Sequence, residues 1–536
     1  MKCGLLLLLC IGCMGGMAQV RKDISLNKGW ETSLNGEGRW KKVEVPHNWD
    51  DYGGYRRLRH GNLHGYAVYR RHLKLAQLEK GKRYFLFFEG VGSYATVWVN
   101  GKLAGRHAGG RTSFTLDITE AVHPGSDNLI VVRADHPVGI RDLPWVCGGC
   151  SDERGFSEGS QPLGIFRPVH LVVTRDVRVE PWGVHIWNDT SVNEAAARLY
   201  IETEVKNYGR EKVEGIVEQR LLDGRGRIVE AVRGAVRSTV RLEAGETKVV
   251  RQELLVLRPS LWSNADPYLY TLETGVRIGG ALVDGVRTSY GIRTVKWEGG
   301  RFLLNGKPVF INGIAGYEHK LGGSHAFSDA EIRARVMEIK AAGFNAFRDA
   351  HQPHNLLYQR YWDSLGMLWW PQLSAHIWFD SPAFRKNFKT LLTEWVKERR
   401  NSPSIILWGL QNESKLPEAF ARECTGLIRE LDPTASVQRK VVTCNGGSGT
   451  DWDVPQNWTG TYGGDPARYA EDLVKQVLVG EYGGWRTMDL HAEAGAVSNP
   501  GKEGSASTLY TEDKLCDLME MKIRLAETVK DRVAGH

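Results

Sequence analysis

The run Ser404-Ile405-Ile406-Leu407-Trp408-Gly409-Leu410-Gln411-Asn412-Glu413-Ser414 restricts the fold more than any other stretch of the chain. Its apolar residues are consecutive rather than alternate, so as a strand it must be buried on both faces, as in sheets covered by helices. It then breaks off in an amide and a carboxylate. Barrels of parallel strands collect their chemistry at the C-terminal strand ends, so Glu413 is expected there. Val477-Leu478-Val479-Gly480, leading into Glu481 and Tyr482-Gly483-Gly484-Trp485, repeats the design. Two strand-end carboxylates facing one cavity suffice for glycoside hydrolysis. One protonates the leaving oxygen while the other attacks the anomeric carbon, and a retaining pair stands about 5–5.5 Å apart.

Further strands are expected at 309–314, 345–348, 368–373, 405–410, 441–444, 458–462 and 477–480. Helical patterns follow most of them, among them 328–342, capped by Ser328, and 383–400. Alternating β and α units imply a parallel sheet, here a (β/α)₈ TIM barrel over 291–536. Only seven strands can be counted. A helix over 512–533 runs to Gly535-His536, so the barrel is expected to lack its last strand and to carry two unpaired edges.

A length of 536 residues predicts about three domains. Over 19–175, short β runs at 84–89, 95–99, 114–118, 129–134 and 169–174 alternate with Gly, Asn and Pro turns, which argues for an antiparallel sandwich. Trp98-Val99-Asn100-Gly101-Lys102 is the strongest hairpin signal in it. Over 176–290, strands at 199–205, 215–222, 248–257 and 268–276 fit one immunoglobulin-like β-sandwich. Nothing in that segment looks catalytic.

Residues 1–18 have the charged start, the apolar run and the Gly16-Met17-Ala18 ending of a signal peptide, so a secreted or periplasmic protein is expected. The apolar run is too short to span a membrane and no later stretch qualifies, so no membrane insertion is expected. The formal charge of +7 is spread without a Lys/Arg tract, which gives no support to a nucleic-acid partner. Cys147, Cys150, Cys424, Cys444 and Cys516 lie beyond the leader, an odd number that excludes complete pairing within one chain. Cys147-Gly148-Gly149-Cys150 reads as a local disulfide or as two free thiols. It lacks the second ligand pair that a zinc site needs.

The series Val45-Pro46-His47-Asn48-Trp49, Val97-Trp98-Val99-Asn100-Gly101, Gly164-Ile165-Phe166-Arg167-Pro168-Val169, Asn412-Glu413 and Gly480-Glu481-Tyr482 resembles glycoside hydrolase family 2. The resemblance implies a jelly-roll sugar-binding domain, an immunoglobulin-like spacer and a TIM barrel. It further implies a retaining exo-β-glycosidase acting on terminal β-linked sugars, β-galactosidase ahead of β-glucuronidase and β-mannosidase, with a glycan or glycoside as partner and no cofactor. The rival of another class is a carbohydrate-binding protein without turnover.

By the same resemblance, Glu413 is the acid/base and Glu481 the nucleophile, while Asn412 binds the hydroxyl next to the anomeric carbon. An acid must start protonated, so a raised pKa is expected at Glu413, with ionised Glu481 beside it. Tyr462 or Tyr482 would hold the second oxygen of Glu481. The stretch from Arg348 to Pro353 resembles the family's Arg-x-x-His-x-Pro, which implies that Arg348 orients the nucleophile and His351 touches sugar hydroxyls. Trp485 and Trp378 are candidate stacking platforms. Glu158 lies where galactosidases reach in from the sandwich to read hydroxyls.

Departures mark the rim. Ala315-Gly316-Tyr317-Glu318 replaces Asn-Arg-His-Glu, and Ser402 replaces a His. Ser374-Ala375-His376 stands where galactosidases carry Glu-x-His as magnesium ligands. Hard cations favour carboxylate oxygen, so no metal is expected, and His376 is kept as a substrate-facing residue.

Overall fold

The computed structural model describes residues 20–50, 63–74, 81–123, 125–145, 161–230, 232–234, 236–320, 322–377, 380–459, 465–473, 477–483, 486–487, 497–498, 508–510 and 512–536. The leader over 1–18, Cys147, Cys150, Glu158, Trp378, Tyr462 and Trp485 lie outside the described residues.

The first sandwich packs a six-stranded sheet on a four-stranded one. In spatial order the larger holds Lys41–Val43, Trp30–Leu34, Gly65–Lys74, Asp127–His136, Tyr94–Val99 and Lys102–Ala108, and the smaller Lys22–Ser25, Val169–Arg175, Lys82–Phe88 and Phe114–Asp117. Alternation sets the faces: Gly65–Lys74 buries Ala67, Tyr69 and Leu73, and Tyr94–Val99 buries Ala95, Val97 and Val99. Asn100 and Gly101 turn the hairpin at φ 52° and 79°, the two positive values that a tight turn matching strand twist requires. The second sandwich consists of two antiparallel four-stranded sheets closed over Leu199, Ile201, Val217, Leu272 and Val276.

Buried polar links fix both sandwiches to the barrel. Arg167 Nη2 donates to Glu318 Oε2 at 2.9 Å and to the Pro353 carbonyl at 2.7 Å, with the side chains of both Arg167 and Glu318 1% exposed. Glu318 Oε1 also accepts from Asn355 N at 2.6 Å. The one residue retained from the rim motif thus holds the sandwich to the barrel. For the second sandwich, Asn401 accepts from Ile186 N (2.9 Å) and donates to the Val184 carbonyl (2.7 Å), just before the central apolar strand.

In the barrel, Gly313–Tyr317, Ala346–Ala350 and Leu368–Trp370 pair in parallel. Parallel bridges Trp369–Ile405, Gln372–Gly409 and Ala375–Asn412 join them to Leu407–Asn412, all six residues of which are buried. Lys440–Cys444 and Trp452–Val454 follow in parallel. Gly480 N donating to the Pro455 carbonyl at 2.7 Å brings in the seventh strand. Ser328 caps the helix Asp329–Ala341 in a capping box with Glu331, and Ser381 with Pro382 starts Pro382–Arg399.

Two expectations for the barrel are corrected. The sixth strand includes Trp452–Val454, ahead of the expected 458–462, of which 460–462 lie outside the described residues; Pro455 follows it, and the Asp453 carboxylate is taken up by Thr443 Oγ1 and Gly446 N. The gap expected at the eighth position is closed. The last helix ends at Glu527, and residues 534–536 return to the barrel wall. Gly535 bridges in parallel to Ile311 on one side and to Leu478 on the other. Periodicity could not reveal this pairing because three residues are too few to show a period. Among the described residues no helix is long and apolar enough to cross a membrane.

Candidate active site

The central strand ends in Asn412, and Glu413 follows at φ 41°, a left-handed backbone that most side chains avoid. His376 (φ 55°) after the third strand shares that conformation. Strain of this kind persists where the surrounding structure overrides it, and it clusters at functional sites. The turn aims Glu413 at His376, whose Nε2 is 2.9 Å from Glu413 Oε2.

Glu481 stands across the cleft with its side chain 12% exposed. Arg348, from the second strand, donates through Nη1 to Glu481 Oε1 at 2.7 Å and to the Gly480 carbonyl at 2.8 Å. Its Nη2 donates to Gln372 Oε1 and Asn412 Oδ1, each at 2.8 Å, and its guanidinium lies 4.3 Å from the Trp370 ring centre. Arg348 thus ties four strand ends together. His351 Nε2 is 3.6 Å from Glu481 Oε1. Asn412 Nδ2 is buried without a partner, a donor left open beside the carboxylates.

Gln456, which the sequence reading did not single out, joins the pair. Its Nε2 donates to Glu413 Oε1 and to Glu481 Oε2, each at 2.9 Å. Two such bonds from one nitrogen hold these oxygens no farther apart than twice 2.9 Å, close to the separation that suits a retaining pair. The available signal was Asp453-Val454-Pro455-Gln456, another short strand ending in a polar side chain. A cavity of about 520 Å³ is lined by Tyr317, Arg348, His351, Trp458, Glu481 and Tyr482 among others. It reaches Glu481 and stops short of Glu413; the Gln456 amide fills the space between them.

The electrostatics reverse the expected order. The hydrogen bond from His376 lowers the Glu413 pKa below the usual carboxylate value, aided by Gln456 and Arg348. Burial raises Glu481 in spite of Arg348, and Glu413 adds to that rise. The expected raised acid is therefore not found, because Glu413 is partly solvated and held by donors. Burial and Arg348 push His351 well down, so it stays neutral. Tyr482 does not hold Glu481; its hydroxyl donates to the Gly313 carbonyl at 3.2 Å.

The donor set does not fit magnesium. Ser374 Oγ donates to the Leu410 carbonyl at 2.7 Å and His376 faces Glu413. Among the described residues no three His, Cys, Asp or Glu side chains converge as a metal site. Turnover is accordingly expected to survive a chelator unchanged; loss of most activity, restored by magnesium, would contradict this.

Three family models match in order: the glycosyl hydrolases family 2 sugar binding domain at 17–174, the family's own model at 177–293 and its TIM barrel domain at 295–454. A putative β-glucuronidase of Formosa agariphila is 29% identical over 96% of this chain and 63% of its own length. A β-galactosidase of Bacteroides ovatus is 28% identical over 70% of this chain and 43% of its own. The crystal structure of a Bacteroides uniformis β-glucuronidase superposes with a TM-score of 0.81 at 25% identity, covering 96% of this chain and 64% of that one. The chain thus spans less than two thirds of the length of these relatives. Since one family accounts for all three domains in the order in which the chain folds them, the chain belongs to glycosyl hydrolases family 2.

Proposed function

We propose that the protein is a retaining exo-β-glycosidase that hydrolyses terminal β-linked sugars. The observation that carries this is the pair Glu413 and Glu481, bridged by one amide nitrogen at 2.9 Å from each. Glu413 passes its proton to the glycosidic oxygen while Glu481 Oε2 attacks the anomeric carbon. The C–O bond breaks, the aglycone leaves as an alcohol, and the sugar remains as an ester on Glu481. Water then gives a proton to Glu413 and attacks the same carbon, which releases the sugar with its configuration retained. Arg348 fixes the spectator oxygen of the nucleophile, and the open Nδ2 of Asn412 is available to the neighbouring sugar hydroxyl.

A neutral sugar of the galactoside kind is the favoured substrate. Among the described residues that line the cavity Arg348 is the only Lys or Arg, and both its terminal nitrogens are engaged, which supports a neutral sugar. Relatives named β-glucuronidase support the second reading, a glucuronoside. Secretion through the leader over 1–18 remains part of the proposal. Turnover of nitrophenyl β-galactoside, β-glucuronide and β-mannoside is the test. Hydrolysis of the galactoside above the other two is expected, and hydrolysis of none would defeat the reading.

A further inference from the structure

The two carboxylates do not face an open gap. Each has one oxygen occupied by its own partner: Glu481 Oε1 by Arg348 at 2.7 Å, and Glu413 Oε2 by His376 at 2.9 Å. The oxygens left for chemistry, Glu481 Oε2 and Glu413 Oε1, both lie 2.9 Å from Gln456 Nε2. Trp458 Nε1 donates to Gln456 Oε1 at 3.1 Å, which sets the orientation of the amide. A flipped amide would aim its carbonyl at two carboxylates and leave the indole N–H against an NH₂ group. In a double displacement the anomeric carbon must reach Glu481 Oε2 while the glycosidic oxygen reaches Glu413 Oε1. The scissile bond therefore has to occupy the space that this nitrogen fills.

Resting on the glycosidase reading, we propose that Gln456 is a displaceable plug, a positioning residue that bridges the two carboxylates and is expelled by the scissile C–O bond of an incoming glycoside. Its seat suits the task. Gln456 is half-buried, and its backbone is held on both sides, by Gly480 N to the Pro455 carbonyl (2.7 Å) and Asn457 N to the Glu481 carbonyl (2.9 Å), so the side chain alone has to move.

The plug also accounts for the reversed order of the carboxylates. Among the described residues, the charged and titratable groups that act on Glu413 besides Gln456 include His376 and Arg348, which favour its ionised form, and Glu481 and the Cys444 thiol. An N–H donor favours the ionised form of its acceptor. Expelling Gln456 removes that donor from Glu413 as the aglycone covers it. Both changes raise its pKa, so the proton needed by the leaving group moves onto Glu413 only when a glycoside is in place.

Gln456→Ala and Gln456→Leu test this through pH profiles, since kcat/KM reports the free protein and kcat the complex. Removing the donor raises the pKa values of the pair in the free protein, so the alkaline limb of kcat/KM moves to higher pH in both variants. The limb of kcat stays, because the plug has already left the complex. KM falls in the Ala variant by about tenfold or more, the worth of at least one hydrogen bond to a charged group, and falls less in the Leu variant, which loses the bonds but keeps the bulk. A rise in KM with a shifted kcat limb would make Gln456 a substrate ligand and overturn the plug. A lowered melting temperature with both limbs unmoved would make it structural and overturn it too. Absence of turnover by the parent chain would defeat the glycosidase reading itself, whereas turnover with unmoved limbs defeats the plug alone.

Discussion

Glu481→Gly is expected to lower hydrolysis of the best substrate by about 10⁴-fold or more, the scale at which a covalent nucleophile is lost. Fold should survive, because Arg348 keeps Gln372, Asn412 and the Gly480 carbonyl as partners. Azide entering the vacated space attacks the anomeric carbon once, so rescue should yield the α-glycosyl azide. Glu413→Gly with an activated aryl leaving group should instead yield the β-azide, since Glu481 still forms the ester and azide then displaces it. A β-azide from the Glu481 variant would exchange the two roles.

The second large effect concerns the seam. Residues 534–536 make backbone hydrogen bonds in both directions. On one side are Ile311 N to the Ala534 carbonyl (2.8 Å), His536 N to the Ile311 carbonyl (3.0 Å) and Gly313 N to the His536 carbonyl (2.9 Å). On the other are Ala534 N to the Val477 carbonyl (2.6 Å) and Val479 N to the Gly535 carbonyl (3.1 Å). Each unmade buried hydrogen bond costs about 1–3 kcal/mol, so losing the set rivals the stability of a whole domain. A chain ending at Val533 should therefore show a barrel that melts well below its sandwiches, and little turnover, because Glu481 follows the seventh strand, which this segment holds in place. Gly535→Ala is a gentler probe. An added Cβ would sit 2.2 Å from the Ile311 carbonyl oxygen, too close for any real contact, so a loss of about 2–4 kcal/mol is expected. Equal calorimetric melting of parent and variants would show that the seam carries no load.

Much of this arrangement was legible before any coordinates. The central strand and Glu413 could be read because a doubly buried strand has an unmistakable apolar run, and Glu481 because its strand repeats that pattern. The Asn100-Gly101 turn and the Ser328 cap followed from local backbone chemistry. The pairing of 534–536 escaped because three residues are too few to show a period, and Trp452-Asp453-Val454 because Trp458 and its neighbours look more strand-like in sequence. Gln456 escaped for another reason: its importance lies in two contacts made across the barrel, to Glu413 and Glu481, which no spacing encodes. The pKa order departs from the expected one because the His376 donor, which the third-strand turn supplies, outweighs like-charge repulsion at Glu413.

The central claim is that Glu481 forms a covalent bond to the sugar. Incubation with a 2-deoxy-2-fluoro β-glycoside carrying a good leaving group slows release of the ester more than its formation, and peptide mass spectrometry then locates the adduct. A single glycosyl adduct on Glu481, absent from Glu481→Gln, is predicted; an adduct on Glu413 or another carboxylate, or hydrolysis with inversion and no adduct, would contradict the account.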